Sequence, residues 1–168
     1  MKLPLLVLSA ISLFAFTGRA EPLTVGTPAP VITAKDQDGQ AVNFADVYSK
    51  GTTLVYFYPK AGTAGCTAQA CSLRDSFADL NQKGLQVIGV SEDTVQSQKR
   101  FKDENQLPFT LIGDSDGKVA EAFGVPITMG LAKRQSFIVK EGKIAWVSPQ
   151  AKTKEHAQEV QAALESLN

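Results

Sequence analysis

Cys66 and Cys71 are the only cysteines of the chain, and they stand five residues apart in Tyr58-Pro59-Lys60-Ala61-Gly62-Thr63-Ala64-Gly65-Cys66-Thr67-Ala68-Gln69-Ala70-Cys71. A thiol is a nucleophile, a redox centre or a metal ligand, and which of these it becomes depends on what holds it. The segment follows Thr52-Thr53-Leu54-Val55-Tyr56-Phe57-Tyr58, a β-branched and aromatic run with almost no polar side chain, which predicts a central strand covered on both faces. Leaving the C-terminal end of such a strand and entering a helix is where open α/β sheets place their sites. With Thr63 as N-cap, Cys66 falls at N3, among unpaired backbone N–H groups at the positive end of the helix dipole. Cys66 is therefore expected to be the acidic, reactive thiol, and Cys71, further into the helix, an ordinary one.

The spacing has a second consequence. Residues five apart on an ideal helix are separated by about 7.5 Å of rise and about 140° of rotation, which sets their Cα atoms about 8.7 Å apart. A disulfide tolerates no more than ~7 Å. Pairing of Cys66 with Cys71 therefore requires the first turns to unwind, which Gly62 and Gly65 make easier. Three uses of two thiols can be weighed on this spacing alone. A dithiol oxidoreductase normally carries C-x-x-C, a copper chaperone needs C-x-x-x-C with a nearby histidine, and a static disulfide would break the helix that the pattern predicts.

The elements that must hold these residues alternate between strand and helix. Val31-Ile32 and Ala41-Val42-Asn43-Phe44 flank Asp36-Gln37-Asp38-Gly39-Gln40 as a hairpin. Further strands are expected at Leu85 to Val90, Phe109 to Ile112, Ser136 to Val139 and Ile144 to Val147. Leu73, Phe77 and Leu80 predict one helix from about Gly65 to Lys83, ended by Gly84. Ser91 followed by Glu92 and Asp93 reads as a helix start, with those acids and Lys102-Asp103-Glu104 on solvated helix faces. Val119 to Phe123 suits a short helix, and Lys154 to Leu167 a terminal one with Val160, Ala163, Leu164 and Leu167 inward. Trp146 reads as a packed strand aromatic. Helices on both faces of an α/β sheet follow.

Composition narrows the function. With 43% hydrophobic and 20% charged residues in 168, the chain supports one packed domain rather than disorder. Seventeen basic residues balance seventeen acidic ones, leaving no field to hold nucleic acid. Two cysteines and one histidine, His156, do not make four zinc ligands, and His156, in a polar stretch, reads as a solvated surface side chain. Lys2, the mostly apolar run from Leu3 to Phe16 and Thr17-Gly18-Arg19-Ala20 have the layout of a secretory signal peptide cleaved after Ala20. Residues 1–20 are thus expected to be removed and 21–168 to form one exported domain, not held at a membrane, in a compartment such as the bacterial periplasm, where disulfides are permitted.

Pro59, Thr63 and Cys66 match P-x-x-x-T-x-x-C, and with Tyr56-Phe57-Tyr58-Pro59-Lys60, Gly65-Cys66-Thr67 and Cys71 the chain resembles the peroxiredoxins, in their bacterioferritin-comigratory-protein or PrxQ branch. The likeness runs on through Asp36-Gln37-Asp38-Gly39, Val90-Ser91, Leu107-Pro108-Phe109, Phe123-Gly124-Val125 and Arg134-Gln135-Ser136-Phe137. The resemblance implies a thioredoxin-like fold: a central mixed β-sheet flanked by helices on both faces, with an N-terminal β-hairpin. It implies Cys66 as peroxidatic and Cys71 as resolving cysteine, with hydrogen peroxide and small alkyl hydroperoxides as substrates, a thioredoxin-like dithiol as reductant and no cofactor. It brings Arg134 to Cys66, where a permanent cation stabilises a thiolate and hydrogen-bonds a peroxide oxygen. Thr63 would cap the helix and donate toward peroxide, and Pro59 would fix the turn and keep water off the sulfur. Gln69 stands where many relatives carry glutamate, and no role is assigned to it. With both thiols in one chain, a monomer suffices.

Overall fold

The structure is a computed structural model that describes residues 23–167; the expected leader over residues 1–20 lies outside the described residues. β1 (Thr33–Lys35), which begins after the Val31-Ile32 piece expected as its first strand, and β2 (Ala41–Asn43) form the antiparallel hairpin, and the Asp36 carboxylate accepts the N–H groups of Asp38 and Gln40 across its turn. Phe44 does not extend β2. The Asn43 side chain accepts from Ala45 N–H and opens α1 (Phe44–Tyr48), which turns Phe44 and Tyr48 into the core. β3 (Thr53–Phe57) follows, buried at every position as expected of a doubly covered strand.

The helix expected from Gly65 to Lys83 is two helices, α2 (Ala64–Asp75) and α3 (Phe77–Gln82). Ser76 breaks the ladder at φ −102°, ψ 6°, and α3 sets off on a new axis that lays Phe77 against Phe109, ring centroids 5.9 Å apart. Gly84 closes α3 with φ +77°, a conformation glycine adopts without strain. β4 (Gln86–Ser91) leads to α4 (Val95–Asn105). Ser91 is therefore a buried strand residue. The cap is Thr94, whose side chain accepts from Ser97 N–H, and Glu92 and Asp93 lie before the helix rather than on its solvated face. Lys102 likewise does more than face solvent, since its ammonium donates to the Leu107 and Phe109 carbonyls.

β5 (Thr110–Gly113) and α5 (Lys118–Ala122) come next, then β6 (Ile127–Thr128) and β7 (Leu131–Ala132), a small hairpin that periodicity does not predict. β8 (Gln135–Lys140), β9 (Lys143–Ser148) and α6 (His156–Ser166) complete the chain. The main sheet has order β5-β4-β3-β8-β9, with β3, β4 and β5 parallel and β8 antiparallel to both its neighbours, β3 and β9. Alternation along β3 divides the core. Leu54, Tyr56 and the following Tyr58 face residues of α2, α3, α4 and α6, whereas Val55 and Phe57 face Phe44 of α1 and Val119 and Phe123 in and beside α5.

Two junctions of this frame matter for the site. Phe57 pairs with Gln135 and Tyr56 with Ser136, so the residue before β8 lies beside the end of β3, where α2 begins. At the other junction Gly113 closes β5 against the start of α4: a Cβ there would stand 2.9 Å from Val95 N, 3.0 Å from the Asp93 carbonyl oxygen and 3.1 Å from Thr94 C. All three are backbone and cannot swing aside. Gly113→Ala is expected to destabilise the fold by about 2–3 kcal/mol through overpacking, read as a lower urea midpoint at unchanged slope.

Candidate active site

The turn between β3 and α2 and the helix it opens carry four of the five residues picked out by sequence: Pro59 and Thr63 in the turn, Cys66 and Cys71 on α2. Pro59 is half-buried at the start of the turn. Asp93 holds the turn from β4's side, its Oδ2 accepting Ala61 N–H at 2.7 Å and the Ser91 hydroxyl at 2.7 Å while Oδ1 accepts from Ser97. Asp93 is thus a turn anchor that sequence reading had placed on a solvated helix. Thr63 is the N-cap in extended conformation, φ −79°, ψ 151°, which makes Cys66 N3 as expected. Its hydroxyl does not cap. It donates instead to the Lys60 carbonyl at 3.0 Å and is exposed. The first backbone bond of α2 runs from Thr67 N–H to the Thr63 carbonyl, so among the described residues Ala64, Gly65 and Cys66 keep N–H groups without a main-chain acceptor beside the sulfur.

Cys66 is buried at 1% exposure, and both cysteines are reduced. Arg134 reaches it from the residue before β8, its Nη2–H donating to Cys66 Sγ at 3.3 Å. Cys71 is half-buried on the same uninterrupted helix, where its thiol faces Asn105 Oδ1 at 3.9 Å; Arg74 Nη1 donates to the Asn105 carbonyl and ties this turn of α2 to the end of α4. Arg134 itself is half-buried and opens on a cleft lined by Lys133, Gln150, Lys152 and Thr153.

Behind Arg134 lies a chain of buried polar groups that the sequence reading missed. Arg134 Nη1 donates to Gln69 Oε1; Gln69 Nε2 lies 3.2 Å from His156 Nδ1; His156 Nε2 lies 2.9 Å from Ser136 Oγ. Gln69, Ser136 and His156 are each fully buried. His156 is not a solvated surface residue, and the reason is positional: it is the first residue of α6, four before Val160 on the inward stripe, and its ring meets Tyr56 edge-on at 5.7 Å. Burial, and secondarily the charge of Arg134, push its pKa down to about 3, so the imidazole is neutral at physiological pH. With both ring nitrogens engaged, it is not free to join the thiols around a metal.

Residues 25–147 match the AhpC/TSA family. Over 143 residues the chain is 43% identical to peroxiredoxin Bcp of Escherichia coli (strain K12), an alignment covering 80% of this chain and 91% of that protein. This chain belongs to the AhpC/TSA family of peroxiredoxins. It is also 39% identical over 146 residues to chloroplastic peroxiredoxin Q of Oryza sativa subsp. japonica, covering 84% of this chain and 67% of the rice protein. Among solved structures, peroxidoxin BcpB from Mycobacterium tuberculosis superposes with a TM-score of 0.79 at 29% identity, covering 86% of this peroxiredoxin and 97% of that chain. Xanthomonas campestris peroxiredoxin Q gives 0.77 at 25% identity, covering 84% and 97%. The fold is the thioredoxin-like one of these proteins, and the peroxiredoxin is a thiol peroxidase, an oxidoreductase.

Proposed function

We propose that this peroxiredoxin reduces hydrogen peroxide and small alkyl hydroperoxides at Cys66 and resolves the product with Cys71. The observation that carries the reading is the placement of Cys66 Sγ at N3 of α2 with the Arg134 guanidinium 3.3 Å away. Free N–H groups, the helix dipole and a fixed cation all favour a thiolate there. The thiolate attacks the terminal peroxide oxygen; an S–O bond forms, the O–O bond breaks, and the departing alkoxide or hydroxide leaves as alcohol or water after taking a proton. Arg134 donates to the peroxide as charge moves onto the leaving oxygen. Thr63, exposed at the helix start, has a hydroxyl that can leave the Lys60 carbonyl for the peroxide, and Pro59 holds the turn.

The sulfenic acid on Cys66 then condenses with the Cys71 thiol, forming a disulfide and releasing water. Since both residues sit on one continuous helix, this step unwinds the start of α2. A thioredoxin-like dithiol restores the pair, giving up two electrons and becoming a disulfide itself. Both thiols belong to one chain, so a monomer completes the cycle. The leader pattern of residues 1–20 supports export, with cleavage after Ala20 and action in a periplasm-like compartment, unattached to a membrane.

One experiment tests the chemistry. The reduced protein is mixed with hydrogen peroxide, and sulfenic acid is trapped with a cyclic diketone. Cys71→Ser is expected to carry the adduct on Cys66, and the unsubstituted protein to form the intramolecular disulfide, with faster amide exchange over residues 64–72. Cys66→Ser is expected to consume no peroxide. Undiminished consumption by Cys66→Ser would overturn the proposal.

A further inference from the structure

The buried chain from Arg134 to Ser136 fixes more than packing. Arginine donates and never accepts, so the Gln69 atom facing Arg134 must be the amide oxygen. The atom facing His156 is then the amide nitrogen, which donates, and His156 Nδ1 must accept with its lone pair. In a neutral ring the proton is left on Nε2, where it is donated to Ser136 Oγ at 2.9 Å. One protonation pattern satisfies every contact. A protonated Nδ1 would meet the Gln69 amide N–H head-on. Relieving that clash means turning the amide over, and the nitrogen then brought to Arg134 cannot accept from a guanidinium. The hold on Arg134, and through it on the position of Nη2 against Cys66, is lost.

Resting on the peroxidase reading above, we propose that His156 is a positioning residue for peroxide reduction: its unprotonated Nδ1 orients the Gln69 amide, which aims the Arg134 guanidinium at the Cys66 sulfur. Three elements meet in the chain. Gln69 lies one turn after Cys66 on α2, His156 opens α6, and Ser136 sits on β8 two residues after Arg134. Ala157 N–H donates to Ser72 Oγ at 3.0 Å and pins the start of α6 to α2, so the imidazole is held at a fixed distance from the amide. Arg134 projects from the residue before β8, and a second, part-buried hydrogen bond, to Gln69, confines its fork. A carboxylate at position 69 would neutralise the guanidinium; the neutral amide orients it and leaves its whole charge for the sulfur.

The test uses variants whose ranking opposes that of a packing role. His156→Phe keeps ring volume and the edge contact with Tyr56 but removes the acceptor. His156→Asn loses volume yet places a carbonyl oxygen near the position of Nδ1. The expected result is a tenfold or greater fall in the second-order rate constant for hydrogen peroxide in His156→Phe, with recovery to within about threefold of the unsubstituted protein in His156→Asn. A packing role gives the reverse order. Because the chain has one histidine, nitrogen-15 spectra of the unsubstituted protein report the ring directly, and they should show a neutral Nε2–H tautomer throughout pH 5–8. A neutral Nδ1–H tautomer, an imidazolium in that range, or full activity in His156→Phe while Cys66→Ser is inactive overturns the assignment and leaves the peroxidase reading standing. Peroxide consumption unchanged by Cys66→Ser would instead overturn that reading.

Discussion

Replacing Arg134 with methionine is expected to lower the second-order rate constant for hydrogen peroxide by roughly 10²–10³-fold, the loss that follows removal of one preorganised donor from a reacting centre. The residue does two things at once. Its Nη2 sits 3.3 Å from Cys66 Sγ, and Nη1 is engaged by Gln69, so the fork arrives with its orientation already set. On the proposed mechanism the peroxide oxygen approaches the sulfur beside this donor, whose orientation is set before charge passes to the leaving oxygen. Arg134→Lys separates the two contributions. It keeps a charge but offers a compact ammonium in place of the fork, which cannot serve Gln69 and the peroxide with the same geometry. We expect it to recover less than a tenth of the lost rate. Alkylation of Cys66 by iodoacetamide provides the control, because that reaction needs the thiolate but no donor to a leaving oxygen. Arg134→Met should slow alkylation several-fold and peroxide reduction far more. Equal losses in both reactions would confine Arg134 to stabilising the thiolate.

The strands of the main sheet and the cysteine turn were legible because each is encoded locally. The run from Thr52 to Tyr58 is apolar on both faces and became the central strand, and Thr63 before a helical pattern placed Cys66 at N3. Arg134 was not legible from spacing. It reaches Cys66 through the pairing of β8 beside β3, sixty-eight residues away in sequence, and only the family likeness pointed to it. His156 was missed for an instructive reason. The inward stripe of the last helix was read from Val160 onward, and stepping back four residues along the same stripe lands on His156. Its polarity and its polar neighbours argued for solvent, while its position argued for burial, and position decided. Gln69 carried the same signal, three residues after Cys66 and thus on the same helix face. Ser91 and Thr94 are both good caps, and local rules do not choose between them. The sheet chooses, since Ser91 still pairs with Gly113 as the last residue of β4.

The buried imidazole also makes the fold sensitive to acid, and the sign can be worked out. In the unfolded chain His156 titrates near its ordinary 6.5, whereas in the fold burial first, and then Arg134, push its pKa down to about 3. Between those values the unfolded chain binds a proton that the folded chain refuses, so stability is complete above 6.5 and drains as pH falls toward 3. The slope approaches ~1.4 kcal/mol per pH unit, and the whole window amounts to about 5 kcal/mol. Glu92 and Asp114 act in the opposite direction: burial raises both, so the folded state takes up their protons more readily and gains stability relative to the unfolded chain as pH falls. Those carboxylates are present in any His156 variant and cancel when two proteins are compared at each pH. His156→Asn, which cannot titrate, is therefore expected to lose stability more gently than the unsubstituted protein between pH 6.5 and 4. Their urea-derived unfolding free energies should converge by roughly 2–3 kcal/mol over that interval. Parallel curves would mean that the imidazole takes a proton in place without unfolding, and the neutral relay behind Arg134 could not then be what holds the guanidinium to the sulfur in acid.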